Sequence, residues 1–458
     1  MTSTLALAIA LAIASAIEPA TQTPASPEVP TDPLTLASAM AWAREHAPAA
    51  ASAQAQTIIA RARVDVARAL LWPTVSGSLA SGVGAARNHG LFNDEVCADP
   101  SLAVACSQSR AFGDVDGSAS VDVRYTVFDF GRRALLIQAA SRSAQAATLD
   151  AKAVGEEIAA AAAVAFLTAR ATEELRAGRA DIVERRAKSL VFAEERVRIG
   201  VAPPIEATRA RVSKKTAELD LATADAAVDD AHASLARALG LDVSPAHGAQ
   251  RRRLALTPPG ELNVNDDPGH ADDLAEQTRH ELRAQRQRIA AADADSENAR
   301  AQLWPSLDAT AAANARATGY TSQSSSAAES ASAGLVLRVP LLDVVASART
   351  RLAEGAATAQ RAVERERVFA VRADAAQAAV AVRSHKQATF SAAVLVDEAE
   401  ANLAQAEGRY QAGAGSLLEL VDAQTQQSSA QLALVQTRFQ LAIARARLLA
   451  AMGTLGAD

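Results

Sequence analysis

Four segments of the chain alternate apolar and polar side chains with period two, the pattern of a strand with two unlike faces. In 118–127 the even positions carry Ser118, Ser120, Asp122, Arg124 and Thr126, and the odd ones Ala119, Val121, Val123, Tyr125 and Val127. Segment 306–317 sets Ser306, Asp308, Thr310, Asn314 and Arg316 against Leu307 and a run of alanines. Segments 74–83 and 333–340 alternate more weakly. Each is about ten residues, the length of a tilted strand that crosses a bilayer. The pattern predicts two hairpins, each standing alone amid helices. As ordinary half-buried strands in water they would need partners from other chains.

The rest of the chain has helical spacing. Helices are predicted over 34–71, 132–199, 204–240, 271–303, 346–411 and 415–452. The two longest would run roughly 100 Å at the α-helical rise. Apolar positions such as Leu432, Val435, Phe439, Ala442, Ala446 and Leu449 step by three and four, as in a coiled coil. Charges such as Glu194, Glu195, Arg196 and Arg198 fill the outer faces.

The chain is also one unit written twice. ARALLWPTV (67–75) matches ARAQLWPSL (299–307), and AEERVRIGVAPPIE (193–206) matches AEGRYQAGAGSLLE (406–419). The strand exit Arg124–Asp129 likewise aligns with Arg338–Asp343. The expected organisation is a signal peptide over 1–16, a Pro/Thr-rich tail over 17–33, and a first repeat over 34–240. A linker over 241–270, a second repeat over 271–453 and a tail over 454–458 follow. The signal peptide is read from the apolar stretch 5–17 and the A-x-A-like site Ala14-Ser15-Ala16, the alternative being a short hydrophobic N-terminal helix.

Composition narrows the picture. Hydrophobic residues are 49% of the chain but aromatics only 3%, so the apolar content is largely alanine, which suits closely packed helices better than a conventional core. Net charge is −6, and the only basic run is Arg251-Arg252-Arg253, too short a footprint for nucleic acid. The seven histidines are scattered, with none at metal-ligand spacing. No phosphate-binding glycine loop and no nucleophile or zinc motif is present. The expectation is no enzyme activity, no cofactor and no metal.

With these motifs in order, the chain resembles the TolC-like outer-membrane efflux protein family. The resemblance rests on Leu71-Trp72-Pro73 and Leu303-Trp304-Pro305 at the strand entries, and on V-F-D-F-G-R-R (127–133) and V-P-L-L-D (339–343) at the exits. R-Y-Q-A-G-A-G-S-L-L-E-L-V-D-A-Q (409–424) completes it. It implies an α+β membrane protein: a trimeric 12-stranded β-barrel, four strands per chain, continuous with a long α-helical coiled-coil periplasmic tunnel. It further implies a passive exit duct in the outer membrane. Its partners would be two further copies, outer-membrane lipid, a periplasmic adaptor protein and an inner-membrane transporter of RND or ABC type. The alternative is a soluble periplasmic coiled-coil adaptor or scaffold, which accounts for the helices but not for the alternating strands.

Within that model Asp122, Arg124, Asp308, Arg316 and Arg338 would face the lumen, and the apolar odd positions lipid. Tyr125, Phe128, Phe130, Trp72, Trp304 and Tyr320 lie near strand ends, as interfacial anchors or as packing where strands meet helices. Gly200 and Gly413 sit where each long helix should turn back, and the resemblance puts Arg196, Gly200, Val201, Arg409 and Gly413 at the end that meets the adaptor. It puts Glu419 and Asp422 at a closed aperture, with Arg209 or Arg211 as closing partners, a solvated helix face being the alternative. Cys97 and Cys106, nine apart in an exported loop, are expected to form a disulfide worth about 2–3 kcal/mol. Two free thiols are the other possibility.

Overall fold

The computed structural model describes residues 33–87, 111–241, 253–260, 262, 264–320 and 325–455. The predicted signal peptide, nearly all of the 17–33 tail and both Cys97 and Cys106 lie outside the described residues. The chain order is α1 (Leu36–His46), α2 (Pro48–Ala69), β1 (Thr74–Arg87), β2 (Ala111–Phe128), α3 (Arg132–Arg198) and α4 (Pro204–Ala238). Then come α5 (Pro268–Thr278), α6 (His280–Ala301), β3 (Ser306–Tyr320), β4 (Ser325–Arg338), α7 (Val344–Gln411) and α8 (Leu417–Ala451).

The helices predicted over 34–71 and 271–303 each break once, which the periodicity did not show. Ala47 leaves the helix with ψ 135°, because the residue before a proline is pushed out of the α region, and Pro48 then opens α2. Arg279 breaks the second with φ −57° and ψ 120°, with no proline behind it.

The strands depart further from expectation. They do not form two isolated hairpins but one antiparallel sheet in the order β1-β2-β3-β4. The two hairpins join through β2 and β3, in a register that sets Ser120 opposite Asn314 and Val121 opposite Ala313. The strands are also longer than ten residues, at 14, 18, 15 and 14. The added stretches are poor in strand formers, Ala111–Gly117 carrying two Gly and two Asp and Ser325–Ser332 being almost entirely Ser and Ala, which hides them in the sequence.

The described residues form two compact units, one drawn from Met1–Ala51, Gly155–Ala271 and Ala375–Asp458, the other from Ser52–Val154 and Asp272–Asp374. The second holds the sheet and the helix segments beside it. There Ala60, Val64 and Ala144 form a small apolar cluster, and Arg361–Asp293 and Arg300–Glu354 pair across helices at 2.6 Å. Asp129 and Asp343 cap the starts of the two long helices. The Arg133 N–H donates to Asp129 Oδ2 at 3.1 Å and the Ala346 N–H to Asp343 Oδ1 at 2.8 Å. Each strand-exit motif is therefore also a helix start signal.

In the first unit, α4 buries Ala207, Ala210, Ala217, Ala224 and Ala231 at heptad-like steps, with Val228 before the last of them and Leu235 one turn beyond it. Small seams let helices approach closely: a Cβ added to Gly178 would stand 3.0 Å from Leu432 Cδ2. The linker packs here through a parallel bridge between Leu34 and Leu256. The buried His232 ring fastens it. Its Nδ1 faces the Leu254 N–H at 3.2 Å and must accept, so Nε2 carries the proton and donates to Glu173 Oε1 at 2.9 Å.

Both long helices and both that follow them end on glycine with positive φ: Gly200, Gly413, Gly240 and Gly453. At Gly200 the N–H bonds to Val197 O and the next N–H, of Val201, to Arg196 O. These two bonds complete a Schellman turn, and Gly413 repeats it with Tyr410 O and Arg409 O. Gly240 has the same φ as Gly200 but a different neighbourhood, since its added Cβ would lie 2.7 Å from His46 O where Gly200 meets open space. Gly200→Ala is expected to cost roughly 1–2 kcal/mol, the left-handed penalty alone. Gly240→Ala adds a backbone clash and should lower the thermal unfolding midpoint clearly more. Equal midpoints for the two variants would contradict this packing.

Candidate functional site

The sheet has two chemically distinct faces. One carries successive rows of Ser76, Asp122, Ala312 and Ser332, then Ser78, Ser120, Asn314 and Ser330, with Arg124 opposite Thr310 nearer the helices. Asp122, Arg124, Asp308, Arg316 and Arg338 all lie on this face. Several are tied together across strands. Thr126 Oγ1 donates to Asp308 Oδ1 at 2.8 Å, Arg338 reaches Asp308 Oδ2 at 3.3 Å, and Arg316 lies 3.9 Å from Asp116. Asp308 is buried at 8% exposure, so the two partners satisfy a carboxylate held out of water.

The opposite face runs Val75, Val123, Ala311 and Ala333, then Gly77, Val121, Ala313 and Ala331, then Leu79, Ala119, Ala315 and Glu329. Leu79 and Val83 are each 86% exposed and Leu335 69%. Apolar side chains on this scale need a non-aqueous cover. At the sheet's helix end Phe130 takes φ +50° beside Gly131 at +83°. This turn stacks Phe130 on Trp304 at 5.5 Å and edge-on to Phe128 at 4.7 Å. Trp304 thus packs where strand meets helix, whereas Trp72 remains 74% exposed.

The helical tips form a second concentration of unusual side chains. Ser416 caps α8 by accepting from the Glu419 N–H at 3.2 Å, so Glu419 stands in the first turn. Its carboxylate pairs with Arg409 at 3.6 Å, and Arg211 pairs with Glu194 at 2.7 Å. Glu419 and Arg211 thus each meet an opposite charge within their own tip, and among the described residues neither Glu419 nor Asp422 pairs with Arg209 or Arg211. Asp422, Arg209 and Val201 are exposed. Arg196 lies with its guanidinium 4.7 Å from the Tyr410 ring centroid.

Tyr410 is the residue that sequence reasoning missed. It is only 3% exposed, packs on Leu417 and Leu420, and meets the Phe192 ring edge-on at 5.9 Å. Burial pushes its phenol up, with the Arg196 cation acting against that and Glu206 adding to it. The signal was available, since this is one of only three tyrosines in the chain and sits in a turn motif.

No group of three or more metal-ligating side chains occurs among the described residues. No described helix is long and apolar enough to cross a membrane.

Comparisons with known proteins agree with this arrangement. The chain is similar to protein CyaE of Bordetella pertussis, 28% identical over 438 residues that cover 93% of this chain and 85% of that one. Its fold is similar to the outer-membrane channel OprN, with a TM-score of 0.73 at 20% identity, covering 96% of this chain and 99% of the other. The outer membrane protein VceC from Vibrio cholerae gives 0.71 at 19% identity, covering 91% and 96%. The model of the outer membrane efflux protein family matches residues 41–241 and 273–454, both halves of the sequence. The chain belongs to the outer membrane efflux protein family.

Proposed function

We propose that three copies of this outer-membrane efflux channel close into one 12-stranded barrel, each giving its four strands, with the polar face toward the lumen and the apolar face toward lipid. The observation that carries this reading is the sheet itself. It exposes an apolar face and leaves β1 and β4 as open edges. Unpaired edge groups cannot face hydrocarbon, and four strands are too few to close on themselves, so β1 of one copy pairs with β4 of the next. A soluble scaffold would leave the same face and edges uncovered. The duplicated element order is read as a duplicated ancestral unit.

The duct is passive and catalyses no reaction. Energy comes from an inner-membrane transporter of RND or ABC type, joined through a periplasmic adaptor that docks at the tips around Arg196, Gly200, Val201, Arg409 and Gly413. The duct serves a tripartite efflux pump or a type I secretion system. Glu419 and Asp422, repeated in three copies, place six carboxylates around the closed aperture. Arg209 or Arg211 of the neighbouring hairpin is the closing partner.

Three outcomes test this. Val121→Arg and Leu79→Arg on the apolar face should each cost about 2–4 kcal/mol and reduce assembled trimer, while Ser120→Arg should assemble and change conductance; equal tolerance on both faces contradicts the barrel. Replacing Glu419 and Asp422 together by Ala should weaken block by multivalent cations and reduce cation preference in planar-bilayer recordings. Unchanged block and selectivity would move the aperture elsewhere. A photocrosslinker at Val201 should capture the adaptor in cells, and failure there with capture from the β1 end of the chain would reverse the orientation.

A further inference from the structure

A charged cavity lies between α3, α7 and α8, and the channel reading gives it no role. Arg185 and Arg186 follow one another on α3, and Arg186 is buried at 6% exposure. Arg186 donates from Nη1 to Gln424 Oε1 at 2.9 Å and from Nη2 to Thr425 Oγ1 at 2.8 Å. Arg185 donates to Gln427 Oε1 at 3.0 Å and Gln431 Oε1 at 3.4 Å. Every one of these acceptors is neutral. Among the described residues no carboxylate forms an ion pair with either guanidinium.

That is an unusual state for an arginine. A buried charge is normally paired, and a neutral acceptor satisfies a donor without balancing the charge. Each guanidinium has five N–H donors, of which these contacts use two. Burial and the adjacent Arg185 charge both push Arg186 below the usual arginine range. Beside the pair is a cavity of about 200 Å³, lined also by Lys188, Ser189, Glu407 and Ser428. Lys188 has its own partner, Glu184, at 2.8 Å. Glu407 is the one carboxylate of the lining, and it stands unpaired with the arginines.

We propose that this cavity binds a small tetrahedral oxyanion, phosphate or sulfate, between Arg185 and Arg186, with the Ser189 and Ser428 hydroxyls as further donors. The fork of a guanidinium matches two oxygens of such an anion, which a halide does not offer. Arg185 and Arg186 belong to the first helical hairpin and Gln424, Gln427 and Gln431 to the second, so the anion would fasten the two together. The site lies 14 residues before Gly200, about 20 Å along the helix. Glu407 would compete with the anion for the same positive charge.

The test uses the full chain, purified in detergent in phosphate-free buffer. Inorganic phosphate and sulfate are titrated by calorimetry and by thermal unfolding, against chloride at equal ionic strength. Saturable binding at one site per chain is expected, with an unfolding midpoint raised over that in chloride. Arg185→Gln, at a partly exposed position, should weaken binding at least about tenfold. Glu407→Gln should tighten it by about threefold by removing the competing charge. Absence of saturable binding in both the wild type and Glu407→Gln overturns the proposal. So does a midpoint shift that chloride reproduces, or binding unaffected by Arg185→Gln.

Discussion

An antiparallel sheet must do something with its two outer strands, and most of this molecule follows from that requirement. Inside the sheet each backbone N–H and C=O is paired, but β1 and β4 each present a row that the chain itself leaves open. In water such a row invites aggregation; in hydrocarbon each unpaired group costs several kcal/mol. One face of this sheet is, Glu329 aside, mostly Val, Leu, Ala and Gly, with Leu79, Val83 and Leu335 highly exposed, which favours the hydrocarbon setting. In the proposed barrel, pairing with further copies satisfies both edges.

The helices obey a different constraint, that of very long elements with few large side chains. A helix of 67 or 68 residues has ample internal hydrogen bonding, so its ends and seams decide where it goes. Alanine seams and the close contact at Gly178 let neighbours pack at short distance. Asp129 and Asp343 fix where the long helices start, and Gly200 and Gly413 where they stop. Polar links then specify register where alanine cannot. Arg186 with Gln424 and Thr425 is one such link, and Tyr410 beneath Arg196 is another.

Much of this was legible in the sequence, for physical reasons that differ by element. Alternation in 118–127 gave both strand and face, because one side is apolar and the other charged. The outer parts of the strands were not legible, since runs such as Ser325–Ser332 contrast too little from face to face. Nor was the β2–β3 pairing, which joins residues such as Ser120 and Asn314 from opposite halves of the chain. The tip glycines announced their turns. The charges at the tips were legible as a group but not in their pairing, because each acid had several arginines within reach. Arg196 and Tyr410 come together only through packing of the two tips, and His232 fastens a linker whose sequence carries no periodicity.

The closure of the barrel is open to one direct measurement. Ser76→Cys on β1 and Ser332→Cys on β4 lie on the polar face in one row, in a chain whose Cys97 and Cys106 are replaced by Ser. Within one copy these positions are three strands apart, about 14 Å, so a thiol crosslinker shorter than about 10 Å joins them only between copies. Treatment of the membrane-assembled protein should give a denaturing-gel ladder of monomer, dimer and trimer that ends at trimer. Monomer alone, or a ladder that continues past three, would contradict the account.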